Sequence, residues 1–278
     1  MVKIIHITDT HILPKSEKLM GLDPAARLES VIASVNKDHA DADFAVFSGD
    51  LTDKGDIESY RLFADLLDGL RVPYTLTLGN HDNRSAFVDV FGREWLDHSG
   101  HIQNSTSIGD VCILVLDTLN DVRADRGRLC RDRLSWLRSR LGEQSLKQKI
   151  IFMHHPPKSV NVKWFDQMLL EHPEAFWDCL RSAGGAEHIA FGHTHLASTG
   201  RWGDTSFSSN RGTCHHILLN TATNYCEFYE GPPSYDVLIV DEGGIVVHNS
   251  SPVDRSAILA REYPTEDGKG KLVNAGDI

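Results

Sequence analysis

The four residues Gly79-Asn80-His81-Asp82 follow an apolar run at positions 72–78 and mark an abrupt change to polar sequence. The same change occurs at four other places in the chain. Asp9 and His11 follow the apolar N-terminal residues, Asp50 follows residues 44–47, His154 follows residues 150–153, and His193 and His195 follow residues 188–191. Each of these short apolar runs ends in side chains that can bind a metal ion. The repetition predicts strands whose ends meet at one site.

Segments with helical periodicity separate the first three apolar runs. The first helix is expected from Asp23, the N-cap, to about residue 37, with Pro24 at its first position. Further helices are expected over residues 56–70 and 84–91. Strands that alternate with helices in this way are parallel and joined by right-handed crossovers. Because ligands of such sheets bind beyond the carboxyl ends of the strands, Asp9, Asp50 and Asn80 should lie close together.

The rest of the chain is predicted to add strands in two groups. The first group covers residues 102–108, 111–117, 149–153 and 187–191, with helices over 131–141 and 173–183. After His195, short strands are expected over residues 197–202, 205–209, 214–219, 234–240 and 244–249, which predict a second, mainly antiparallel layer. We expect one domain over residues 1–250, with a cap-like β insertion near 199–215, and a C-terminal tail over 251–278.

Composition limits the classes of function. The chain has 278 residues, of which 41% are hydrophobic and 24% charged, as in ordinary globular domains. A net charge of −11 argues against a surface for long nucleic acids, although bound dications would permit a small phosphorylated substrate. No uncharged apolar stretch approaches the ~18 residues of a membrane span, and the N-terminus is typical of a strand rather than a secretion signal. The expected location is therefore the cytoplasm.

The cysteine count supports the same location. The chain has five cysteines, an odd number, and they show no CxxC spacing: Cys112, Cys130, Cys179, Cys214 and Cys226. This pattern favours reduced thiols in a reducing compartment. A disulfide or a thiolate metal site is the alternative.

The candidate ligands form an ordered set: Asp9, His11, Asp50, Asn80, His154, His193 and His195. Taken singly, each could be a helix cap or a hydrogen-bonded structural residue. Together they supply imidazole, carboxylate and amide donors, a mixture that suits Mn, Fe, Zn or Co better than Mg or Ca. They exceed the needs of one ion but fit two ions that share a bridging carboxylate. We therefore expect two divalent or transition metal ions.

The motifs DxH, GD, GNHD, HHPP and GHTH, in this order, resemble those of the calcineurin-like metallophosphoesterase superfamily over residues 1–219. The stretches 151–157 and 212–216 resemble most closely the class III cyclic nucleotide phosphodiesterases and the related glycerophosphodiesterases. The resemblance implies an α/β fold, specifically a four-layer α/β/β/α sandwich, with a small C-terminal extension that acts as a cap or an oligomerisation contact.

The resemblance also implies a role for each member of the set. Asp9, His11 and His195 would hold the first metal, and Asn80, His154 and His193 the second, with Asp50 bridging. A metal-activated hydroxide would then attack phosphorus in line with the leaving alkoxide.

Three residues are predicted to act on the substrate. His81 is expected to be catalytic, donating a hydrogen bond to the phosphoryl oxygen or a proton to the leaving group, with Asp82 or a nearby acceptor orienting it. The alternative is that His81 only packs beside the site. Asn80, His81 and His215 are the expected substrate contacts, and a structural role is the alternative for His215.

The sequence departs from purple acid phosphatases at one position. Those enzymes place a tyrosine ligand three residues after the bridging aspartate, where this chain has Asp53. A phenolate-bound ferric ion is therefore not expected. Asp53 is expected to support the site or to start a helix.

The expected function is a dinuclear metal-dependent phosphodiesterase for small phosphodiesters, with 3′,5′- or 2′,3′-cyclic nucleotides preferred. A glycerophosphodiesterase or a broad-specificity phosphodiesterase and monoesterase is the alternative within enzymes. A catalytically dead scaffold of the same fold is the alternative outside them. The expected partners are a small phosphodiester and further copies of the chain in a homo-oligomer (dimer or higher).

Overall fold

The computed structural model describes residues 1–123, 125–143, 148–253, 258–266 and 270–274. The first half contains β1 (Val2–Ile7), α1 (Pro24–Asp38), β2 (Phe44–Ser48), α2 (Ile57–Leu67), β3 (Tyr74–Thr77), α3 (Arg84–Phe91), β4 (Asn104–Ile108) and β5 (Val111–Val115). The second half contains α4 (Arg131–Glu143), β6 (Gln148–Met153), α5 (Pro173–Ser182), β7 (His188–Phe191), β8 (Ser198–Trp202), β9 (Thr205–Ser209), β10 (His216–Ile217), β11 (Phe228–Tyr229), β12 (Tyr235–Asp241), β13 (Gly244–Ser250), β14 (Ala260–Tyr263) and β15 (Lys271–Asn274).

The helices begin where their capping residues predict. The Asp23 carboxylate accepts a hydrogen bond from the Ala26 backbone N–H at 3.1 Å and caps α1. Asp56 caps α2 in the same way through the Ser59 N–H, at 2.9 Å. Each carboxylate satisfies a backbone donor that the first turn of a helix leaves unpaired. These caps fix the points at which the chain leaves the loops that follow β1 and β2.

Two sheets form the centre of the fold. The first has the strand order β13-β12-β1-β2-β3, and β1, β2 and β3 are parallel as predicted. The second has the order β4-β5-β6-β7-β9-β8, in which β5, β6, β7 and β9 are parallel and the edge strands β4 and β8 are antiparallel. The carboxyl ends of the parallel strands in each sheet therefore lie at one edge.

Alternating side chains give the fold its four layers. On β1, Ile5 and Ile7 belong to the apolar cluster that includes Leu28 of α1. Ile4 belongs instead to a cluster with Phe152 of the other sheet. Because successive strand residues point to opposite faces, each sheet buries one face against helices and one against its partner sheet. The helices α4 and α5 cover the outer face of the second sheet in the same way. The predicted α/β/β/α sandwich is confirmed.

The prediction of one antiparallel layer after His195 is wrong. The strands β8 and β9 lie on the edge of the second sheet, whereas β12 and β13 extend the first sheet beside β1. The expected cap-like insertion near residues 199–215 thus contains strands of the sandwich itself. Alternating side chains predict that a strand exists but not which neighbour it pairs with, because the same period suits either sheet.

The end of the chain forms a hairpin in its described part. Within the predicted tail, β14 and β15 pair antiparallel, with Ala260 opposite Asn274. Residues 254–257, 267–269 and 275–278 of that predicted tail lie outside the described residues. None of the helices in the described part of the chain has the length and apolar character needed to cross a lipid bilayer.

Candidate metal centre

All seven predicted ligands lie at the edge where the parallel strands of both sheets end. Asp9 and His11 follow β1, Asp50 follows β2, Asn80 follows β3, His154 follows β6, and His193 and His195 follow β7. All except Asn80 are buried, and Asn80 is partly buried. Because the two sheets face each other, side chains from both meet at this edge. The expected convergence of Asp9, Asp50 and Asn80 on one edge is therefore present in the structure.

The first group of donors contains Asp9, His11 and His195. His195 Nε2 lies 3.3 Å from Asp9 Oδ1 and 3.3 Å from His11 Nε2. The Asp9 carboxylate also accepts the backbone N–H of His193 at 3.1 Å, which fixes its orientation. Three donor atoms of two chemical types thus point into one small space.

The second group contains Asn80, His154 and His193. Asn80 Oδ1 lies 3.1 Å from His154 Nε2 and 2.8 Å from His193 Nδ1. The two groups are joined by Asp50, whose Oδ2 is 3.2 Å from His154 Nε2 and 3.7 Å from His11 Nε2. The other oxygen of Asp50 accepts the backbone N–H of His81 at 2.9 Å. One carboxylate oxygen therefore faces both groups of donors.

Hydrogen bonds outside the site fix which imidazole nitrogen faces inward. His154 Nδ1–H donates to the Ser48 carbonyl at 3.1 Å, and His195 Nδ1–H donates to the His215 carbonyl at 2.9 Å. His11 Nδ1–H donates to the Asp53 carboxylate at 3.1 Å. An imidazole that donates through Nδ1 presents the Nε2 lone pair, which is the form that binds a metal ion. The donor set therefore fits a metal centre.

Burial and charge act in opposite directions on the central groups. Burial opposes ionisation of Asp50, but the His154 and His81 imidazoles hold the pKa of that carboxyl well below its ordinary value. Burial likewise opposes protonation of His154, and the Asp50 carboxylate raises its pKa to about 9. Burial and the charge of His154 lower the pKa of His193 to about 3. A neutral His193 beside an ionised Asp50 is the state suited to a cation.

The backbone at the site has an unusual conformation. Five of the seven residues have a positive φ, namely Asp9 (54°), His11 (47°), Asp50 (47°), His193 (68°) and His195 (49°). Side chains disfavour this left-handed region, so such residues persist only where surrounding structure enforces them. Gly79 shows how tightly the loops are packed, because a Cβ there would collide with the Asp50 carboxylate and the His154 imidazole. Only glycine therefore fits at the first position of the Gly79-Asn80-His81-Asp82 stretch.

His81 and Asp82 have separate roles. His81 has a side chain 41% exposed, and its Nδ1–H donates to the Asp53 carbonyl at 2.9 Å. Asp82 is buried and accepts hydrogen bonds from the Leu51 N–H at 3.1 Å, the Gly79 N–H at 2.9 Å and the Tyr60 hydroxyl at 2.9 Å. Of the two expected orienting groups, Asp82 or a nearby acceptor, the structure shows the nearby acceptor, the Asp53 carbonyl. Asp82 instead ties the loop after β2 to the loop after β3.

Comparison with known proteins identifies the family. The calcineurin-like phosphoesterase profile matches residues 2–197, a span that contains all seven donors. The chain belongs to the calcineurin-like phosphoesterase family. A probable cyclic nucleotide phosphodiesterase of Rhodopseudomonas palustris is 33% identical to this phosphoesterase over 253 residues, which cover 90% of this chain and 92% of the relative.

Two further similarities cover nearly the whole phosphoesterase. A probable glycerophosphodiester phosphodiesterase of Arcobacter nitrofigilis is 28% identical over 277 residues, covering 98% of this chain and 99% of the relative. The crystal structure of a dimetal phosphatase from Danio rerio superposes with a TM-score of 0.65 at 13% identity, covering 91% of this chain and 97% of that one. The latter likeness concerns the fold.

His215 lies directly beside the donors of the phosphoesterase. Its ring stacks on that of His195, with centroids 4.1 Å apart and planes 13° apart, and lies 5.1 Å from the ring of His11. Burial and the neighbouring His195 lower its pKa. Its Nδ1 is buried and has no hydrogen-bond partner among the described residues. The predicted position of His215 next to the site therefore agrees with the structure, while its part in substrate binding stays a prediction.

A cavity of about 390 Å³ opens above the centre of the phosphoesterase. Five of the seven donors line it together with Asp53, His81 and His215, namely His11, Asp50, Asn80, His193 and His195. The remaining lining residues are Leu19, Met20, Trp164, Phe165, Met168, Ile217 and Phe228, which we call the apolar wall; the indole N–H of Trp164 is its one polar side-chain group. The volume is in the range of small-molecule sites.

Sequence reasoning missed two residues that hold the site. The Tyr60 hydroxyl donates to Asp82 and accepts the Asn83 N–H at 2.9 Å, although Tyr60 reads in the sequence as one more apolar residue of α2. Thr118 Oγ1 lies 2.8 Å from His155 Nδ1, beside His193. Thr118 follows the apolar run 111–116 much as the donors follow theirs, whereas Tyr60 lies inside a helical apolar pattern. The sequence therefore offers a signal for Thr118 but none for Tyr60.

Proposed function

We propose that this phosphoesterase is a dinuclear metal-dependent phosphodiesterase that hydrolyses small phosphodiesters, with 3′,5′- or 2′,3′-cyclic nucleotides as its substrates. The observation that carries the proposal is the position of Asp50 Oδ2, which lies 3.2 Å from His154 Nε2 and 3.7 Å from His11 Nε2. An oxygen between two groups of donors suits a pair of ions that share one ligand. Paired ions are a common solution for attack on phosphate esters.

The residues divide into two binding sites under this proposal. Asp9, His11 and His195 would hold one ion, Asn80, His154 and His193 the other, and Asp50 would bridge. Nitrogen and oxygen donors in this ratio suit Mn, Fe, Zn or Co. Bound ions would supply positive charge for the phosphoryl oxygens and lower the pKa of a water molecule to ~7.

The chain's own side chains complete the chemistry. His81 lies at the mouth of the centre, half exposed, with Nδ1 occupied by the Asp53 carbonyl. Its Nε2 is therefore the atom available to the substrate, either as a donor to a phosphoryl oxygen or as a proton source for the leaving alkoxide. Asn80 and His215, which also line the cavity, would contact the phosphate.

The relatives support small diesters as the substrate class. The relative of 33% identity is named for cyclic nucleotides, and that of 28% identity for glycerophosphodiesters. The higher identity favours cyclic nucleotides, and glycerophosphodiesters are the second candidate. The complete donor set opposes the inactive scaffold, because a scaffold has no need of five strained backbone positions at one site.

We further propose a cytoplasmic homo-oligomer. No disulfide joins the five cysteines, all of which lie in the described part of the chain, and this suits a reducing compartment. The last third of the chain exposes Leu218, Leu219, Val246, Leu259 and Leu272, which supply apolar surface for a subunit contact. Sedimentation velocity would test the oligomeric state, and a monomer at micromolar concentration would contradict the proposed homo-oligomer.

Metal analysis combined with turnover tests the catalytic proposal. Protein stripped with a chelator and reloaded with Mn²⁺, Zn²⁺, Fe²⁺ or Co²⁺ should bind two equivalents and hydrolyse bis(p-nitrophenyl) phosphate and cyclic AMP. Asp50→Asn should lower both metal content and turnover, whereas Asp65→Asn, an exposed change on α2, should alter neither. Protein that binds no more than trace metal and gains no activity would refute the proposal.

A further inference from the structure

We propose that the apolar wall of the cavity, above all Trp164 and Phe228, binds the planar base of the substrate and so selects nucleotide diesters over glycerophosphodiesters. This inference rests on the proposed function and names the part of the molecule that decides between its two substrate classes.

The cavity divides into two chemically different halves. Every polar residue that lines it belongs to the metal centre or to its immediate neighbours Asp53, His81 and His215. The remaining lining residues are the apolar wall. A phosphodiester whose phosphate lies at the centre must therefore place its organic group against this wall. The side chains of the wall offer the hydroxyl groups of glycerol no acceptor and only one donor, the indole N–H of Trp164, so a glycerol group gains little there. A flat, weakly hydrated base suits the wall.

The wall is held in place by buried side chains beneath it. Phe165 and Ile217 belong to a buried apolar cluster with Val162 and Leu196, and Trp164 and Met168 pack against that cluster. Phe165 also contacts the ring of His193 edge-on, with centroids 5.9 Å apart. The wall is therefore attached to the centre itself, and its distance from the donors is fixed.

Three separate segments contribute to the wall, and the two that carry its aromatic residues are joined. Ile217 and Phe228 are opposite each other in the short ladder between β10 and β11, so both lie on one face of this hairpin. Lys163 Nζ donates to the Ala222 carbonyl at 2.8 Å and connects the Trp164 segment to the loop of the same hairpin. The aromatic residues Trp164 and Phe228 thus belong to parts of the cavity that are tied together.

Part of the aromatic surface of Phe228 is exposed to solvent. Its ring meets that of His215 edge-on, with centroids 5.2 Å apart and planes at 63°. The residue nevertheless remains 51% exposed. An uncovered ring next to the site of the phosphate is suited to stacking on a base, because every base has an aromatic face.

Substitution of the wall should change selection between substrates more than the chemistry itself. Phe228→Ala and Trp164→Ala should raise KM for 3′,5′-cyclic AMP by about 10- to 100-fold with little change in kcat, in line with the loss of base stacking. The kinetics of glycerophosphoethanolamine should change by less than about threefold. Phe228→Tyr should retain the wild-type KM, since the ring remains. Tyr225→Ala removes an exposed aromatic residue that does not line the cavity and should have no effect.

Binding without turnover separates this inference from the proposed function. Isothermal titration should show that metal-loaded protein binds AMP about 10- to 100-fold more tightly than glycerol 3-phosphate, and that Phe228→Ala removes most of this difference. Equal binding of the two monoesters would overturn the inference even if diesters are hydrolysed. A preference for AMP in protein that hydrolyses no diester would support the base site and reject the proposed function. Equal effects of Phe228→Ala on both diesters would also overturn the inference.

Discussion

The Nε2 atoms of His11 and His195 lie 3.3 Å apart. The opposite nitrogen of each ring is already committed, His11 Nδ1–H to the Asp53 carboxylate and His195 Nδ1–H to the His215 carbonyl. Both lone pairs therefore face the same point, where they repel unless a positive charge, from a proton or a metal ion, lies between them. The pair is arranged in advance for a cation, and this arrangement has consequences for stability as well as for activity.

Metal binding should stabilise the folded chain. Chelator-treated protein should gain about 2.7 kcal/mol in free energy of unfolding for each bound ion, about 5.4 kcal/mol for two, at a free Mn²⁺ or Zn²⁺ concentration of about 100 Kd, because the unfolded chain has no assembled site. Urea unfolding monitored by circular dichroism measures this gain. Ca²⁺, which prefers oxygen ligands throughout, serves as the matched control and should give a smaller shift. An identical unfolding curve with and without Mn²⁺ or Zn²⁺ would contradict the expectation.

Asp53→Asn should weaken metal binding without removing any of the seven donors. The substitution keeps an acceptor for His11 Nδ1–H but removes the negative charge that makes the imidazole a better ligand. Changes of this kind cost about 10- to 100-fold in metal affinity or activity. Turnover measured against metal concentration should therefore recover when metal is in excess. Asp65→Asn is the exposed control on α2. A defect that excess metal does not relieve would show that Asp53 acts differently.

If His81 transfers a proton to the leaving group, the loss of kcat in His81→Ala should depend on which leaving group the substrate has. We expect kcat for a cyclic nucleotide, which expels a poor alkoxide leaving group, to fall by about 10²- to 10⁴-fold. Hydrolysis of bis(p-nitrophenyl) phosphate should suffer less, since p-nitrophenolate leaves without protonation. Metal content should stay at the wild-type value, and the exposed His98→Ala should leave both rates unchanged. Equal losses for both substrates would point to phosphate binding instead.

Tyr60→Phe should loosen the loop that carries Asn80 and His81. The hydroxyl donates to Asp82 and accepts the Asn83 N–H, so its removal takes one hydrogen bond from the buried Asp82 carboxylate and one from the partly buried Asn83 N–H. We expect a loss of about 1–3 kcal/mol in free energy of unfolding, measured in urea, together with weaker metal binding. Tyr74→Phe is the matched control, because that hydroxyl has no hydrogen bond among the described residues. A variant as stable as wild type would show that the loop does not depend on this network.

His188 should make stability fall in mild acid. Burial, with a contribution from His6, lowers the pKa of His188 to about 4, and the ring lies 2.9 Å from both Ser206 Oγ and Ser208 Oγ. The unfolded chain takes up this proton near pH ~6.5, so between there and pH ~4 it binds more protons than the folded chain. Stability therefore decreases as the pH falls through this window and is unaffected above it.

The size of this effect can be measured by substitution. At pH 5 the contribution of His188 is about 2 kcal/mol relative to pH 7. His188→Gln, which can still hydrogen bond to both serines, should show a correspondingly smaller loss of stability between pH 7 and pH 5 in urea unfolding. The exposed His98→Gln should keep the wild-type dependence. An unchanged pH dependence in His188→Gln would refute the assignment.

The positions of the donors could be read from the sequence because they depend on local rules. Asp50 and Asn80 each follow an apolar run, and strand ends of a parallel sheet meet by geometry alone. The proximity of Asp50 to His154 was harder to predict from the sequence, since it requires two sheets to face each other. The number and chemical types of the donors indicated that step, and the resemblance to known metallophosphoesterases assigned each donor to an ion.

Other features depended on contacts that no period in the sequence encodes. The strands β9 and β12 can both be predicted as strands yet belong to different sheets, because pairing partners are chosen by tertiary packing. The expectation for His81 left open whether Asp82 or a nearby acceptor orients it, and only the structure shows that the acceptor is the Asp53 carbonyl. Neighbours along the chain, such as His81 and Asp82, point in different directions when the backbone turns sharply between them.

The left-handed backbone at five of the donors limits how this protein can be stabilised; these residues are Asp9, His11, Asp50, His193 and His195. Each of these residues costs on the order of 1–2 kcal/mol relative to an unstrained conformation, and glycine would relieve that cost. Glycine would also delete a donor. A screen for thermal stability alone would therefore favour variants that have lost catalytic activity. A search for a more stable enzyme must select for turnover in the same step.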